Sequence, residues 1–171
     1  MGDLHMIWYV VAALAFTLAS NTFSDGGTLP KRAEYNQSGC SGQNIPPELH
    51  WSGAPAGTKS YALTMHDPDA QAPGGWWHWV VFNIPAEDTS LNANPRSMVI
   101  PWVYGTTSFK ARAYGGPCPP PGKPHHYNFT LYALDVATVS GVTGATTGPE
   151  LVTLIEGHVL GKTTLTGIYG R

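Results

Sequence analysis

Residues 77–85 read Trp-His-Trp-Val-Val-Phe-Asn-Ile-Pro, a run that is apolar on both parities of an extended chain. Successive side chains of a strand point to opposite faces. A strand apolar on both faces belongs in the middle of a sheet, where both faces are covered. Two further segments share the strand character. Residues 60–67 read SYALTMHD, and residues 125–135 read HHYNFTLYALD, rich in aromatic and β-branched residues. A shorter strand is expected at LHWSG, 49–53, and another within SMVIPWVY, 97–104. Between them the chain is dense in turn residues, with 20 Gly and 15 Pro against only 12% charged residues. That pattern predicts one mainly β domain rather than a helical one.

One amphipathic helix interrupts the pattern. In TGPELVTLIEGHVLG, Leu151, Leu154, Ile155 and Val159 recur at helical spacing. Pro149 suits its first turn and Gly161 its stop. The tail KTTLTGIYG returns as a strand. The expected class is therefore mainly β with a C-terminal helix, an α+β arrangement.

Residues 1–19 differ from the rest. An apolar run from 7 to 19 is too short to span a bilayer comfortably and ends in Thr17-Leu18-Ala19. This reads as a secretory leader on a single domain of 20–171, although Asp3 and His5 stand where a basic residue is expected. An uncleaved anchor and a misassigned start are the alternatives. The reading implies an exported protein, periplasmic or secreted, with no integral membrane segment in the mature chain. Cys40 and Cys118 are the only cysteines. In an oxidising compartment an even pair favours a disulfide, with two buried thiols as the alternative. A formal charge of −2 gives no footprint for nucleic acid. No basic cluster adjoins an apolar segment, so nothing supports polybasic attachment to a membrane.

Parity then singles out three ionisable residues. Tyr61, Leu63, Met65 and Asp67 share one face of their strand. His78, Val80, Phe82 and Ile84 share one face of the second, and His125, Tyr127, Phe129, Leu131 and Ala133 one face of the third. Asp67, His78 and His125 thus stand at strand ends, on the rim of apolar faces. Brought together, they would form the mouth of one pocket. Imidazole donates to anionic oxygens, and Trp76, Trp77 and Tyr127 offer an aromatic lining. Asp69, in the Asp-Pro-Asp-Ala turn, reads either as a pocket residue or as a local backbone acceptor.

These same motifs carry a resemblance. Asp-Pro-Asp, His-Trp before Asn-Ile-Pro, then Tyr-Gly-Gly-Pro-Cys-Pro-Pro and His-x-Tyr resemble the phosphatidylethanolamine-binding proteins, in their bacterial Raf kinase inhibitor-like branch. DGGTLP, CSGQNIPPELHWSGAPAGTKSYAL and GHVLGKTTLTGIYGR are similar too, so the likeness spans about residues 23–171. It implies a sandwich of two antiparallel sheets with a C-terminal helix. It also implies a small anion pocket for phosphate or a phosphorylated head-group, lined by Asp67, Asp69, Pro73, Trp76, His78, Gly116, Pro117, His125 and Tyr127. No cofactor is implied. The family is linked with phospholipid head-groups and with inhibition of kinase cascades and proteases, so a protein partner is a further expectation. Two departures stand out. His126 occupies a position where Arg is common, and Gln71-Ala72 lengthens the step to Pro73. The stretch 96–113 does not contribute to the resemblance.

The rival reading is a metal-dependent hydrolase using Asp67, Asp69, His78, His125 and His126 as ligands. The chain has no His-Glu-x-x-His spacing, no Gly-x-Ser-x-Gly elbow and no separate general-base candidate to support it.

Overall fold

The structure is a computed structural model that describes residues 14–91 and 102–171. Two sheets pack face to face. The larger is built on β4 (Ser60–Asp67), β5 (Trp76–Pro85) and β8 (His125–Leu134), with β9 (Val159–Tyr169) beside β8. Its order is completed by β2 (Gly27–Thr28) and β7 (Val103–Tyr104), giving β2-β9-β8-β4-β5-β7. All pairs are antiparallel except β2 with β9. The smaller sheet has the order β1-β3-β6, from Thr17–Ala19, Leu49–Ser52 and Ser90–Leu91. The expected sandwich is therefore the observed architecture. Of the strand expected within 97–104, Val103–Tyr104 is seen, and the remainder falls largely outside the described residues.

The large sheet is buried on both sides, as the double-faced apolar run requires. Tyr61, Leu63, Met65, Tyr127, Phe129, Leu131 and Ala133 meet Leu18, Leu49, Trp51 and Leu91 of the small sheet. On the opposite side Ala62, Val80, Phe82 and Leu134 pack against Leu151 and Ile155 of α1 (Gly148–Ile155). Burial of a large apolar side chain stabilises by about 1.5–3 kcal/mol, so these two layers supply the main drive to fold.

Parity holds for β4 and β8 but fails for β5. Val80 and Phe82 face the helix, whereas Trp79, Val81 and Ile84 face the small sheet. Two bulges explain it. Met65 pairs with Trp79 and His66 with Trp77, leaving His78 as the extra residue. The second lies between the pairs Leu63–Val81 and Tyr61–Ile84, where Asn83 adopts a φ of 57°. Asn tolerates that left-handed conformation better than most residues. His78 therefore does not share a continuous face with Val80, Phe82 and Ile84. The bulge, not simple alternation, sets its direction.

The helix is shorter than its spacing predicts. The α-helix stops at Ile155, and a 3-10 turn, Glu156–His158, leads directly into β9. Val159 pairs with Leu134, and Gly161 lies inside β9 opposite Ala133. Leu154, expected on the apolar stripe, is 40% exposed. The turn is anchored to the end of β8: the Asp135 N–H donates to the His158 carbonyl, and His158 Nδ1 lies 2.8 Å from Asp135 Oδ1. Strand pairing along β8, with one bulge at Leu160, takes the place of about one and a half more helical turns.

At the other end, Thr17–Ala19, read with the leader from sequence, form β1. Leu18 is buried, and Leu18 and Ala19 pair with Trp51 and His50. The first thirteen residues of that segment lie outside the described residues. Among the described residues no helix is long and apolar enough to cross a membrane.

Candidate functional site

The antiparallel order β8-β4-β5 places the last residue of β4 beside the first residues of β5 and β8. Asp67, Trp76, His78, His125 and Tyr127 consequently line one cavity of about 250 Å³ at this edge of the sheet. Tyr35, Ser38, Ala70, Gln71, Phe109, Cys118, Pro119 and Pro120 complete the lining. Among the described residues, none that lines it is Lys or Arg.

Asp67 is buried and fully engaged. Its Oδ1 accepts the backbone N–H groups of Asp69 at 2.9 Å and Ala70 at 3.1 Å. That turn follows from Asp-Pro-Asp-Ala, where a short acidic side chain reaches the backbone two residues on. Its Oδ2 accepts from His125 Nδ1 at 2.8 Å. The carboxylate therefore orients the His125 ring and fixes which nitrogen carries the proton on that side. A parallel pair sits next door: His126 Nδ1 is 2.7 Å from Asp69 Oδ2, which also accepts the His126 backbone N–H at 2.8 Å. This pair and the His126 N–H hold the Asp69 carboxyl below the usual carboxylate range. Asp69 thus ties the loop after β4 to β8 and is absent from the cavity lining.

His78 is 3% exposed. Its ring stands edge-on to Tyr127, with centroids 5.1 Å apart, and to Phe109 at 5.4 Å. Gly115 grips it from both sides: the Gly115 N–H donates to the His78 carbonyl at 2.9 Å, and the Gly115 carbonyl accepts from His78 Nδ1 at 2.7 Å. Burial pushes the His78 pKa down to about 4, only partly offset by the Gly115 carbonyl and Asp67. The ring is neutral at ordinary pH. Tyr127 is fully buried, and its hydroxyl has no hydrogen-bond partner among the described residues. Burial, reinforced by Asp67, drives its pKa upward, so it stays a phenol.

The wall opposite β8 is loop, and its position is set from the N-terminal side. Gly116 lies against Ala33–Tyr35 so closely that a Cβ would stand 2.0 Å from the Ala33 carbonyl oxygen. The Tyr35 N–H donates to the Pro117 carbonyl at 3.0 Å, and the Asn44 side chain bridges Tyr114 O and Gly116 N. A Cys40–Cys118 disulfide closes the same junction, and Cys118 itself lines the cavity. Beneath it Glu34 is buried. Burial alone would raise its pKa, but hydrogen bonds from Lys31, Tyr169 and the Ser41 N–H outweigh it and hold the carboxyl down to about 2.

Gly116 and Pro117, expected to line the pocket, do not line it; they position the loop that does. Pro73 lies elsewhere, in a depression with Gly74, Trp77 and Gly148 on the helix side of the sheet. Tyr35 and Phe109 escaped the sequence reading because they come from loops without periodicity. Phe109 belongs to the stretch 96–113, which the resemblance did not draw on. Its ring packs against Tyr35, Trp76 and His78, an aromatic cluster that needs the fold to assemble. Among the described residues no three His, Cys, Asp or Glu side chains converge as metal ligands.

Comparison with known proteins agrees with this fold. The family model described as phosphatidylethanolamine-binding protein matches residues 19–170. The chain belongs to the phosphatidylethanolamine-binding protein family. Its sequence is similar to that of the UPF0098 protein YbcL of Escherichia coli, 42% identical over 154 residues, covering 85% of this chain and 84% of YbcL. It is similar also to YbhB of the same organism, 38% identical, covering 89% of this chain and 98% of YbhB. The crystal structure of Escherichia coli YbcL superposes with a TM-score of 0.85 at 36% identity, over 91% of this chain and 98% of that one. The homologue CT736 of Chlamydia trachomatis gives 0.79 at 33% identity, over 92% and 98%.

Within this family member, the close approach at Gly116 has a measurable consequence. Gly116→Ala is expected to lower unfolding stability by about 1–3 kcal/mol, because the backbone of Ala33 must shift. Gly157→Ala, where a Cβ meets nothing within 4 Å, is expected to change it by less than about 0.5 kcal/mol. Urea unfolding of the two variants side by side checks this.

Proposed function

We propose that this protein binds a small oxyanion, phosphate or a phosphorylated head-group, in the cavity between His78 and His125. The observation that carries the reading is the Tyr127 hydroxyl. A buried hydroxyl without a partner costs about 1–3 kcal/mol, and Tyr127 lines the cavity beside His125. A ligand oxygen that reaches this hydroxyl, whose oxygen is closed off from solvent, removes that cost. His125, oriented by Asp67, supplies a second contact, and Trp76 and Phe109 cover the apolar part of a small ligand. Membership of a family named for a phosphorylated lipid head-group supports the same chemistry.

Tyr127→Phe is the sharpest variant, because the hydroxyl it removes has no partner within the described residues. Calorimetry with methyl phosphate is expected to show about ten-fold weaker binding for Tyr127→Phe, His78→Ala and His125→Ala. The thermal midpoint of Tyr127→Phe is expected to stay level or rise. Unchanged affinity in all three would remove the site assignment.

We further infer that the chain is exported. The Cys40–Cys118 disulfide supports an oxidising compartment, and the apolar run ahead of β1 supports a leader. Cleavage after Ala19 would cut away β1 and its buried Leu18, whereas Ala13-Leu14-Ala15 offers small residues just before it. Phe16, which packs on Tyr61, is the expected first residue of the processed protein. Intact mass of material recovered from the cell envelope checks this; a chain beginning at Ser20 contradicts it.

A further inference from the structure

A second bridge spans the two loops that the Cys40–Cys118 disulfide joins. Arg171 donates from Nε to the Pro119 carbonyl at 2.7 Å and from Nη1 to the Gly39 carbonyl at 2.9 Å. Pro119 follows Cys118 and Gly39 precedes Cys40, so one guanidinium ties the residues that flank both halves of the disulfide. A planar fork of donors suits a bridge between two fixed acceptors. Arg171 is itself held. Its carbonyl accepts the Gly122 N–H at 3.4 Å, and Tyr169, two residues earlier, donates its hydroxyl to the buried Glu34. What the bridge holds is a strained turn. Ser38 has a φ of 57° and Gly39 a φ of 82°. Glycine takes the left-handed conformation freely, and serine does not. Locally the turn is closed by the Cys40 N–H, which donates to the Gln37 carbonyl at 3.0 Å. A residue in such a conformation persists where its surroundings over-determine it. Ser38 lines the cavity, as do Cys118, Pro119 and Pro120 from the facing loop. The covalent bridge and the guanidinium bridge therefore hold the same lip of the cavity.

We propose that Arg171 is a positioning residue of the cavity, a second clamp that duplicates the disulfide, so that the lip keeps its place and the site keeps its ligand whether Cys40 and Cys118 are joined or reduced. The part of this inference that concerns the ligand rests on the reading of the cavity as an oxyanion site. Reduction takes two thiol groups of a small reductant. They pass two electrons and two protons to the cysteine sulfurs, the Cys40–Cys118 bond breaks, and the reductant's sulfurs join as its own disulfide. Arg171 then still spans Gly39 and Pro119. Loss of either bridge leaves the other in place, and loss of both lets the turn at Ser38 relax. Both bridges favour the same closed junction, so by reciprocity Arg171 also favours re-formation of the disulfide.

Calorimetry with methyl phosphate on the wild type and Arg171→Ala, each with and without excess dithiothreitol, tests the clamp. Reduction alone and Arg171→Ala alone are each expected to weaken binding by about two- to three-fold, and the two together by at least about thirty-fold. The loss of a positive charge near an anion acts equally on the oxidised and reduced proteins, so it cancels from the comparison. A general loss of stability in protein that stays folded cancels too, and circular dichroism checks that all four samples are folded. A second measurement needs no ligand. At equilibrium with reduced and oxidised glutathione, Arg171→Ala is expected to lower the effective concentration of the two cysteine thiols by about ten-fold. A loss of affinity in Arg171→Ala that is the same with the disulfide open and closed, or an unchanged glutathione equilibrium, overturns the clamp and leaves the oxyanion reading standing. Methyl phosphate that fails to bind the wild type overturns the oxyanion reading, and a glutathione equilibrium that still shifts then upholds Arg171 as the clamp of the junction.

Discussion

The double grip of Gly115 on His78 is the interaction on which the site depends. One backbone unit both accepts from the ring and donates to the carbonyl of the same residue. Without it the extra residue of the bulge would have no fixed direction, because β4 offers it no partner. Bulges re-aim side chains next to binding sites in many sheets. Here the bulge turns an imidazole toward Tyr127 and Phe109 rather than toward the helix.

That grip is only as firm as the loop that provides it. The loop carries little regular structure, so its position comes from contacts made by a distant part of the chain. Gly116 permits the backbone to lie against Ala33–Tyr35, and the Tyr114 hydroxyl donates to the Ala33 carbonyl. Asn44 stitches both strands of the junction, and the disulfide closes a 78-residue separation across it. A covalent link over a loop of that length stabilises by about 4 kcal/mol in the chain-entropy account. The sequence motif Gly-Gly-Pro-Cys-Pro-Pro is in this light a device for holding a wall. Only Cys118 and the two following prolines reach the cavity.

Much of the fold was legible in alternation and composition. The strands at 60–67 and 125–134 appear where the side-chain period puts them, and Asp67 and His125 meet at the edge as their parity predicts. Two features were not legible, for physical reasons. Bulges in β5 cancel the period that parity relies on, and only Asn83, a residue tolerant of positive φ, hinted at one of them. The helix ended early because Val159 onward gains a ladder with β8, broken by a single bulge, a long-range pairing invisible in helical spacing. At the candidate site, Asp67, Trp76, His78, His125 and Tyr127 come from strands, and Tyr35 and Phe109 from loops that carry no period. Tyr35 and Phe109 meet only once the chain is folded, and Pro73 lies on the helix side of the sheet.

The protonation state of His78 is the claim on which the site's chemistry turns. Long-range nitrogen–proton NMR of the imidazole rings measures it without any ligand. The His78 ring is expected to show a protonated Nδ1 and a bare Nε2, unchanged as pH falls from about 8 to about 5. A proton found on Nε2, or a ring that titrates in the ordinary imidazole range, would contradict the account.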